Sequence, residues 1–424
     1  MTSGPSIRAR LTALRTNDLL RHTAVLFVGM AGVHACNLVY QMTVSRALPS
    51  EEYALLMAFL GLLTILSYPL SALTSGLSHY SSLLCNAHRV GDIRRLLRKW
   101  LWTTGLPALL LGAAACAFSE PLSELFHLNR RAPVLIAGAV LPAMFWLPVL
   151  AGAAQGLQQF GWSAVSGLVG AILRLLLGAG LVWLWYPACG WAMLGHCAGI
   201  YLSAGVLAAG LYQGLRRTAP TVAPLPSLRF YLLQSVLVLV AFAVLMNADV
   251  VLAKHYLPGQ TGFAYAATLG RIVAFLPMAA AMAMFPKVAS AGAATVEHRR
   301  IFAHAFGFTA LCTIAAAGGC WLLPRLLLQI LFGLTEVAPE TVLLTRWMAA
   351  AMAASALLNV VVQFLLAQRR FKALSPVVAA GALYLLCAHH FHDSALQLAL
   401  ACTVFNALAL LALLPAAFRV RPAP

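Results

Sequence analysis

The sequence predicts an all-α polytopic membrane protein of about twelve transmembrane helices, set out as two six-helix lobes related by pseudo-twofold symmetry. Three observations predict it. Of the 424 residues, 62% are hydrophobic and only 9% charged, with a mean hydropathy of +0.87. That leaves too little polar surface to cover a water-soluble globule. The apolar residues fall in runs long enough to cross about 30 Å of hydrocarbon. Short patterns also recur about half a chain apart.

Taken in order, residues 1–22 form a basic segment carrying Arg8, Arg10, Arg15 and Arg21. The apolar run that follows is a full span rather than the shorter core of a signal peptide, and no small-residue cleavage site comes after it, so the first helix is expected to stay. The predicted spans are 23–45, 52–84, 100–119, 132–154, 160–185, 190–213, 230–255, 261–285, 303–325, 340–367, 373–390 and 394–418. Prolines Pro69 and Pro277 should bend the second and eighth, and Ser375-Pro376 interrupts the eleventh, which ends at His389-His390. A three-proline linker at 214–229 separates an N-terminal lobe (23–213) from a C-terminal lobe (230–418), and 419–424 form a tail.

Loop charge gives the orientation. The N-terminus, the loops after predicted helices two, six, eight and ten, and the tail hold 20 of the 28 Lys and Arg residues. All lie on one side, which the positive-inside rule makes cytoplasmic, with both termini there. Glu51, Glu52, Glu120, Glu124, Glu336, Glu340 and Asp393 fall on the other. The net charge of +17 is then topology plus attraction to anionic membrane lipid, and no nucleic-acid partner is needed to explain it. Trp183, Trp185, Tyr186 and Trp191 at the turn between helices five and six fit an interfacial belt.

The repeat rests on two spacings. Leu48-Pro49 recurs as Leu257-Pro258, 209 residues on, and Gln158-Gln159-Phe160 is matched by Arg369-Arg370-Phe371, 211 residues on. Six helices per copy give both lobes the same orientation, about an axis along the membrane normal, and binding sites in such transporters lie between the lobes. The nine cysteines stand singly, with no Cys-x-x-Cys pair, so neither a metal site nor a cofactor is expected.

Polar residues inside the spans mark where a cavity would be lined. His34, Asn37, Gln41 and Ser45 recur at steps of three and four and form one stripe on the first helix. Thr64, Ser67, Ser71, Ser75 and Ser78 do the same on the second, where small hydroxyl residues also serve close helix packing. Arg174 falls roughly 20 Å into helix five and Arg271 roughly 15 Å into helix eight. Such charges cost about 2.5–3.5 kcal/mol each at a helix centre and normally face a wet cavity or a partner. Arg46 and Lys254 close helices one and seven toward the outer side, and Arg346 lies early in helix ten, where snorkelling accounts for them equally well. Asp249 is the one carboxylate clearly within a span. It is either a structural partner for an arginine or an H+ or Na+ coupling site. A surplus of guanidinium over carboxylate favours an anionic substrate, because the planar fork suits phosphate oxygens.

Three segments carry a family resemblance: NLVYQMTVSRALPSEEYALLMAFLGLLTILSYPL, the AAQGLQQF end of helix four, and NADVVLAKHYLPGQTGFAYAATLGRIVAFLPMAAAMAMFPKVA. Together they resemble the polysaccharide-transport branch of the multidrug, oligosaccharidyl-lipid and polysaccharide (MOP) exporter superfamily. The resemblance covers nearly the whole chain. It implies a MATE-like, two-lobed alternating-access fold in a bacterial inner membrane that flips an undecaprenyl-diphosphate-linked oligosaccharide for surface polysaccharide biosynthesis. A monomer is expected, with polysaccharide polymerase and chain-length machinery as partners. Asn247, Asp249, Gly262, Tyr265, Arg271 and Pro286 occupy the recurrent positions of the helix seven and eight motif, and Arg46 that at the end of helix one. The usual Gly-x-Tyr is here Gly262-Phe263-Ala264-Tyr265, longer by one residue. The expected substrate-binding set is Arg174, Arg271, Arg46, His34, Asn37, Gln41 and Asn247, with Asp249 for ion coupling and no catalytic residue.

Two alternatives stand beside this reading. A MATE-type multidrug or cation antiporter would share the architecture, but cationic substrates favour acidic cavities. A membrane oligosaccharide polymerase or ligase would commonly carry a sizeable outer loop, and here every predicted outer loop is short.

Overall fold

The computed structural model describes residues 18–125, 131–216, 218, 229–274, 296–368 and 370–418. Twelve helices follow the predicted order: α1 (Asp18–Ala47), α2 (Ser50–Asn86), α3 (Val90–Ala117), α4 (Ala132–Gly156), α5 (Phe160–Leu184) and α6 (Cys189–Leu215), then α7 (Arg229–Tyr256), α8 (262–274), α9 (Val296–Leu322), α10 (Pro339–Ala367), α11 (Phe371–His390) and α12 (Ala395–Phe418). Among the described residues, ten of these are long and apolar enough to cross a membrane. The basic segment up to residue 17, residues 219–228 of the linker, Pro277, Pro286 and the tail lie outside the described residues.

Local chemistry explains where these helices bend and stop. Pro69 lacks an amide donor, so α2 passes through a 3-10 turn at Tyr68–Leu70 before resuming at Ser71, as its proline predicts. The proline of Ser375-Pro376, expected to interrupt helix eleven, instead sits in the first turn of its α-helical part, where a missing donor costs nothing. Helix five departs from prediction, because Arg174–Ala179 wind as a π-helix within it. Two short helices, Ser119–Leu125 and Pro324–Phe332, sit in segments expected to be loop or span end.

The two lobes repeat their packing. In the first, α3 packs on α4, α4 on α6, α5 on α6 and α1 on α5; each pair recurs six helices later as α9 on α10, α10 on α12, α11 on α12 and α7 on α11. The 211-residue spacing is visible in backbone geometry as well. Gln159 (φ −82°, ψ 53°) donates to Ala154 O at 2.8 Å, and Arg370 (φ −88°, ψ 57°) donates to Leu365 O at 2.9 Å. Both turns close the preceding helix by the same six-residue bond.

Three principal cores result. One is built almost wholly from α7 to α12, and another from α2, α3, α4 and α6 near the basic loops. The third joins the lobes at the acidic end: Tyr40, Tyr53 and Leu56 of α1 and α2 share it with Tyr265 and Leu269 of α8 and with Phe332. There Tyr53 stacks on Tyr265 at 4.7 Å, and Phe332 lies against Tyr265 at 5.4 Å. The Tyr53 hydroxyl donates to Thr268 Oγ1 at 3.0 Å. Below this seal, α2 and α7 touch closely enough that a Cβ on Gly61 would meet Asn247 O at 3.1 Å. Nearer the basic end Ser71 of α2 is exposed. The lobes are therefore closed on the acidic side.

Candidate functional site

Two groups of mid-membrane charge stand out, one in each lobe. In the N-terminal lobe, the π-helical turn places Arg174 against α1 and α6. Its Nη1 donates to Asn37 Oδ1 at 3.2 Å, and its guanidinium lies over the Tyr40 ring at 4.1 Å. Tyr40 is itself fixed by donation to Ala192 O at 3.0 Å. Beneath Arg174 the two backbones meet, since a Cβ on Gly195 would lie 2.3 Å from Gly178 Cα. A π-turn inserts an extra residue into a helix and often marks a functional position.

Arg174 is not neutralised. No ion pair joins it to a carboxylate among the described residues, and its Nε is buried without a hydrogen-bond partner. A guanidinium left unpaired in a low dielectric is costly, so an arginine this deep normally faces a wet cavity or a partner. Around it His34 is exposed, and Asn37, Gln41 and His196 are half-buried. The stripe expected on the first helix reaches Arg174 through Asn37, while Gln41 Oε1 accepts from the Tyr53 hydroxyl at 3.5 Å and Ser45 is buried and bonded to Met42 O.

The C-terminal lobe spends its charge internally. Arg271 Nη2 meets Asp249 Oδ1 at 2.5 Å, and the two side chains are 10% and 0% exposed. A polar network surrounds this core: Ser355 donates to Asn406 Oδ1 at 2.9 Å, and Asn406 Nδ2 donates to Leu245 O at 3.1 Å. Asp249 Oδ2, Arg271 Nη1 and the Tyr384 hydroxyl are buried without partners.

These contacts place three of the expected binding residues away from Arg174 in this conformation. Arg271 is enclosed and neutralised by Asp249, so in this conformation it does not sit beside Arg174 as a second phosphate ligand. Asn247 is buried and donates to Ala243 O of its own helix at 3.2 Å. Arg46 lies at the acidic end, where Nη2 donates to Ile330 O of the short helix Pro324–Phe332. Asp249 Oδ1 is taken by a guanidinium, while Oδ2 is buried without a hydrogen-bond partner.

Sequence reading missed the π-turn, the Ser355–Asn406 network and the short helix. Only the last left a signal. Pro324 followed nine residues later by Gly333 is the usual order of a helix start and stop.

Comparison with solved structures then places the architecture. The inward-facing conformation of a multidrug resistance MATE family transporter of the MOP superfamily matches 90% of this chain and 93% of its own, at TM-score 0.68 and 14% identity. The fold is that of the MOP superfamily. Lipid II flippase MurJ in an inward closed conformation shares it at TM-score 0.69 and 12% identity, over 94% of this chain and 88% of its own. A MOP superfamily transporter from Pyrococcus furiosus, described by the reverse polarity of its binding pocket, does so at TM-score 0.64 and 14% identity, over 93% of both chains. No protein-family model matches the sequence, and no curated protein matches it. At such identities the likeness carries the MOP fold and leaves substrate to be argued from this chain's own residues.

Proposed function

We propose that this protein moves an undecaprenyl-diphosphate-linked oligosaccharide across a bacterial inner membrane by alternating access between its two lobes, for surface polysaccharide biosynthesis. The observation that carries this reading is Arg174. It is near mid-membrane, has no acid partner among the described residues, and is flanked by Asn37 and Tyr40. A diphosphate supplies the charged, multidentate acceptor that such a guanidinium lacks.

The rest of the molecule fits that task. The positive-inside rule makes the basic side cytoplasmic. Closure at the acidic end by Tyr53, Tyr265 and Phe332 is then closure toward the outside, and the substrate headgroup enters from the cytoplasm. Lobe packing that repeats six helices apart supplies two bodies able to rock against each other. The lipid tail stays in the bilayer through a side opening while the sugar and phosphates cross between the lobes. Asp249 acts as the counter-ion of Arg271 within the C-terminal lobe.

A cation antiporter of the same fold is the second reading, and the same geometry weighs against it. The one carboxylate well inside a span already holds an arginine. The deciding experiment is translocation of a labelled undecaprenyl-diphosphate oligosaccharide in proteoliposomes. Transport by the wild type that is lost in Arg174→Ala supports the proposal; uptake of organic cations with no lipid translocation would replace it by the antiporter reading.

A further inference from the structure

The turn between α1 and α2 carries two helix caps of opposite sign. Glu52 Oε2 accepts from the backbone amide of Cys189 at 2.7 Å, at the start of α6, whose own N-cap residue, Ala188, supplies no side-chain bond. That is an acid at a helix N-terminus, within one lobe. Arg46 does the converse across the lobes. Its Nη2 donates to Ile330 O, one of the last carbonyls of the short helix Pro324–Phe332, which no later turn can satisfy. The fit is specific. Gly333 ends that helix in the left-handed region (φ 71°), and a Cβ there would meet Arg46 Cγ at 3.1 Å. Glycine takes this left-handed turn without strain, and a Cβ there would crowd the arginine stem.

The short helix also carries the seal. Its Phe332 packs on Tyr265 and lies 6.2 Å from Tyr53. Arg46 therefore tethers to the first lobe the element that closes the acidic end. Its present acceptor is a neutral carbonyl, and the guanidinium itself is exposed. A phosphate is the better ligand, because it offers charged, paired acceptors.

We propose that Arg46 is an exit-side phosphate subsite masked by this cap. A lipid diphosphate arriving from the Arg174 level takes Arg46 from Ile330 O, uncaps the short helix and releases Phe332 from the tyrosine pair, so that the substrate opens its own exit. This inference rests on the transporter reading above and deepens it. Arg46 lies six to nine residues beyond Tyr40 and Asn37, the α1 residues that touch Arg174, about 9–14 Å further along the helix at 1.5 Å per residue, so the two arginines act in succession.

The test is hydrogen exchange across 328–335 in the full chain, held in phosphatidylcholine nanodiscs, with and without undecaprenyl diphosphate, while native mass spectrometry reads lipid binding separately. Wild type should bind and exchange this segment on the order of tenfold faster with the lipid, as expected for losing one charge-assisted bond. Arg46→Gln should exchange fast without lipid and respond no further. If that variant does not fold, Gly333→Ala, which displaces the arginine stem, should give the same fast exchange. Binding with no change in exchange would overturn the latch and leave the transporter reading standing. Failure to bind would overturn both. Faster exchange with phosphatidylglycerol alone would assign Arg46 to bulk phospholipid and overturn the subsite.

Discussion

Asp249→Asn is the most informative single change in the C-terminal lobe. Asp249 is fully enclosed and Arg271 nearly so, and Asp249 Oδ1 is the one carboxylate oxygen paired with the guanidinium. Replacing it leaves an arginine buried among Met246, Tyr384 and the apolar faces of α7 and α8, without its counter-charge. Breaking one half of a buried pair typically costs about 3–5 kcal/mol, most of it the desolvation of the charge left behind. Replacing both halves by apolar residues of similar volume is often neutral. So Asp249→Asn and Arg271→Met should each unfold well below the wild type, and Asp249→Leu with Arg271→Met should recover most of the loss. The assay is thermal unfolding in detergent followed by tryptophan fluorescence, completed as a double-mutant cycle. A coupling near zero, or an Asp249→Asn protein as stable as wild type, would refute the pair as a structural element. The double variant should also keep lipid translocation. Loss of transport in a stable double variant would return Asp249 to an ion-coupling role.

Two further expectations concern the backbone. Gly195→Ala puts a Cβ 2.3 Å from Gly178 Cα, and a clash with backbone cannot be relieved by a rotamer change, so α5 and α6 should separate at a cost of about 1–3 kcal/mol in the same unfolding assay. An unchanged midpoint would contradict the close packing under Arg174. His88 and Gln158 hold φ of 55° and 57° in the turns after α2 and α4, so His88→Gly or Gln158→Gly should stabilise by up to about 1 kcal/mol. A loss of stability in both would argue that side-chain contacts, not strain, govern those turns.

Much of the fold was legible because a bilayer leaves the sequence few choices. Each span must be long, apolar and internally bonded, so spans read off apolar runs came within a few residues of most described helices. The half-chain repeat is legible in two short matches, and the Gln159 and Arg370 turns give one of them a physical basis: both residues follow a helix in the same backbone geometry. The site was less legible. Asp249 and Arg271 are 22 residues apart on antiparallel helices, so no periodicity within one helix could pair them. Arg46 reads as a snorkelling residue because its partner is a backbone carbonyl 284 positions away, and carbonyls leave no trace in sequence. The π-turn at Arg174–Ala179 lies where Gly178 meets Gly195 across two helices, a contact that no pattern within one helix reveals. Arg174 itself was visible, since an arginine that deep in an apolar run needs a reason.

The proposed function turns on Arg174 as the anchor of a diphosphate during translocation. Its most direct test is the flipping rate of a labelled undecaprenyl-diphosphate oligosaccharide in proteoliposomes, for wild type, Arg174→Lys and Arg174→Ala at matched insertion and thermal stability. A diphosphate anchor at Arg174 requires transport by wild type, at least about a tenfold loss in Arg174→Lys, which keeps the charge but not the fork, and none in Arg174→Ala. Wild-type rates in a correctly inserted Arg174→Ala protein would contradict it.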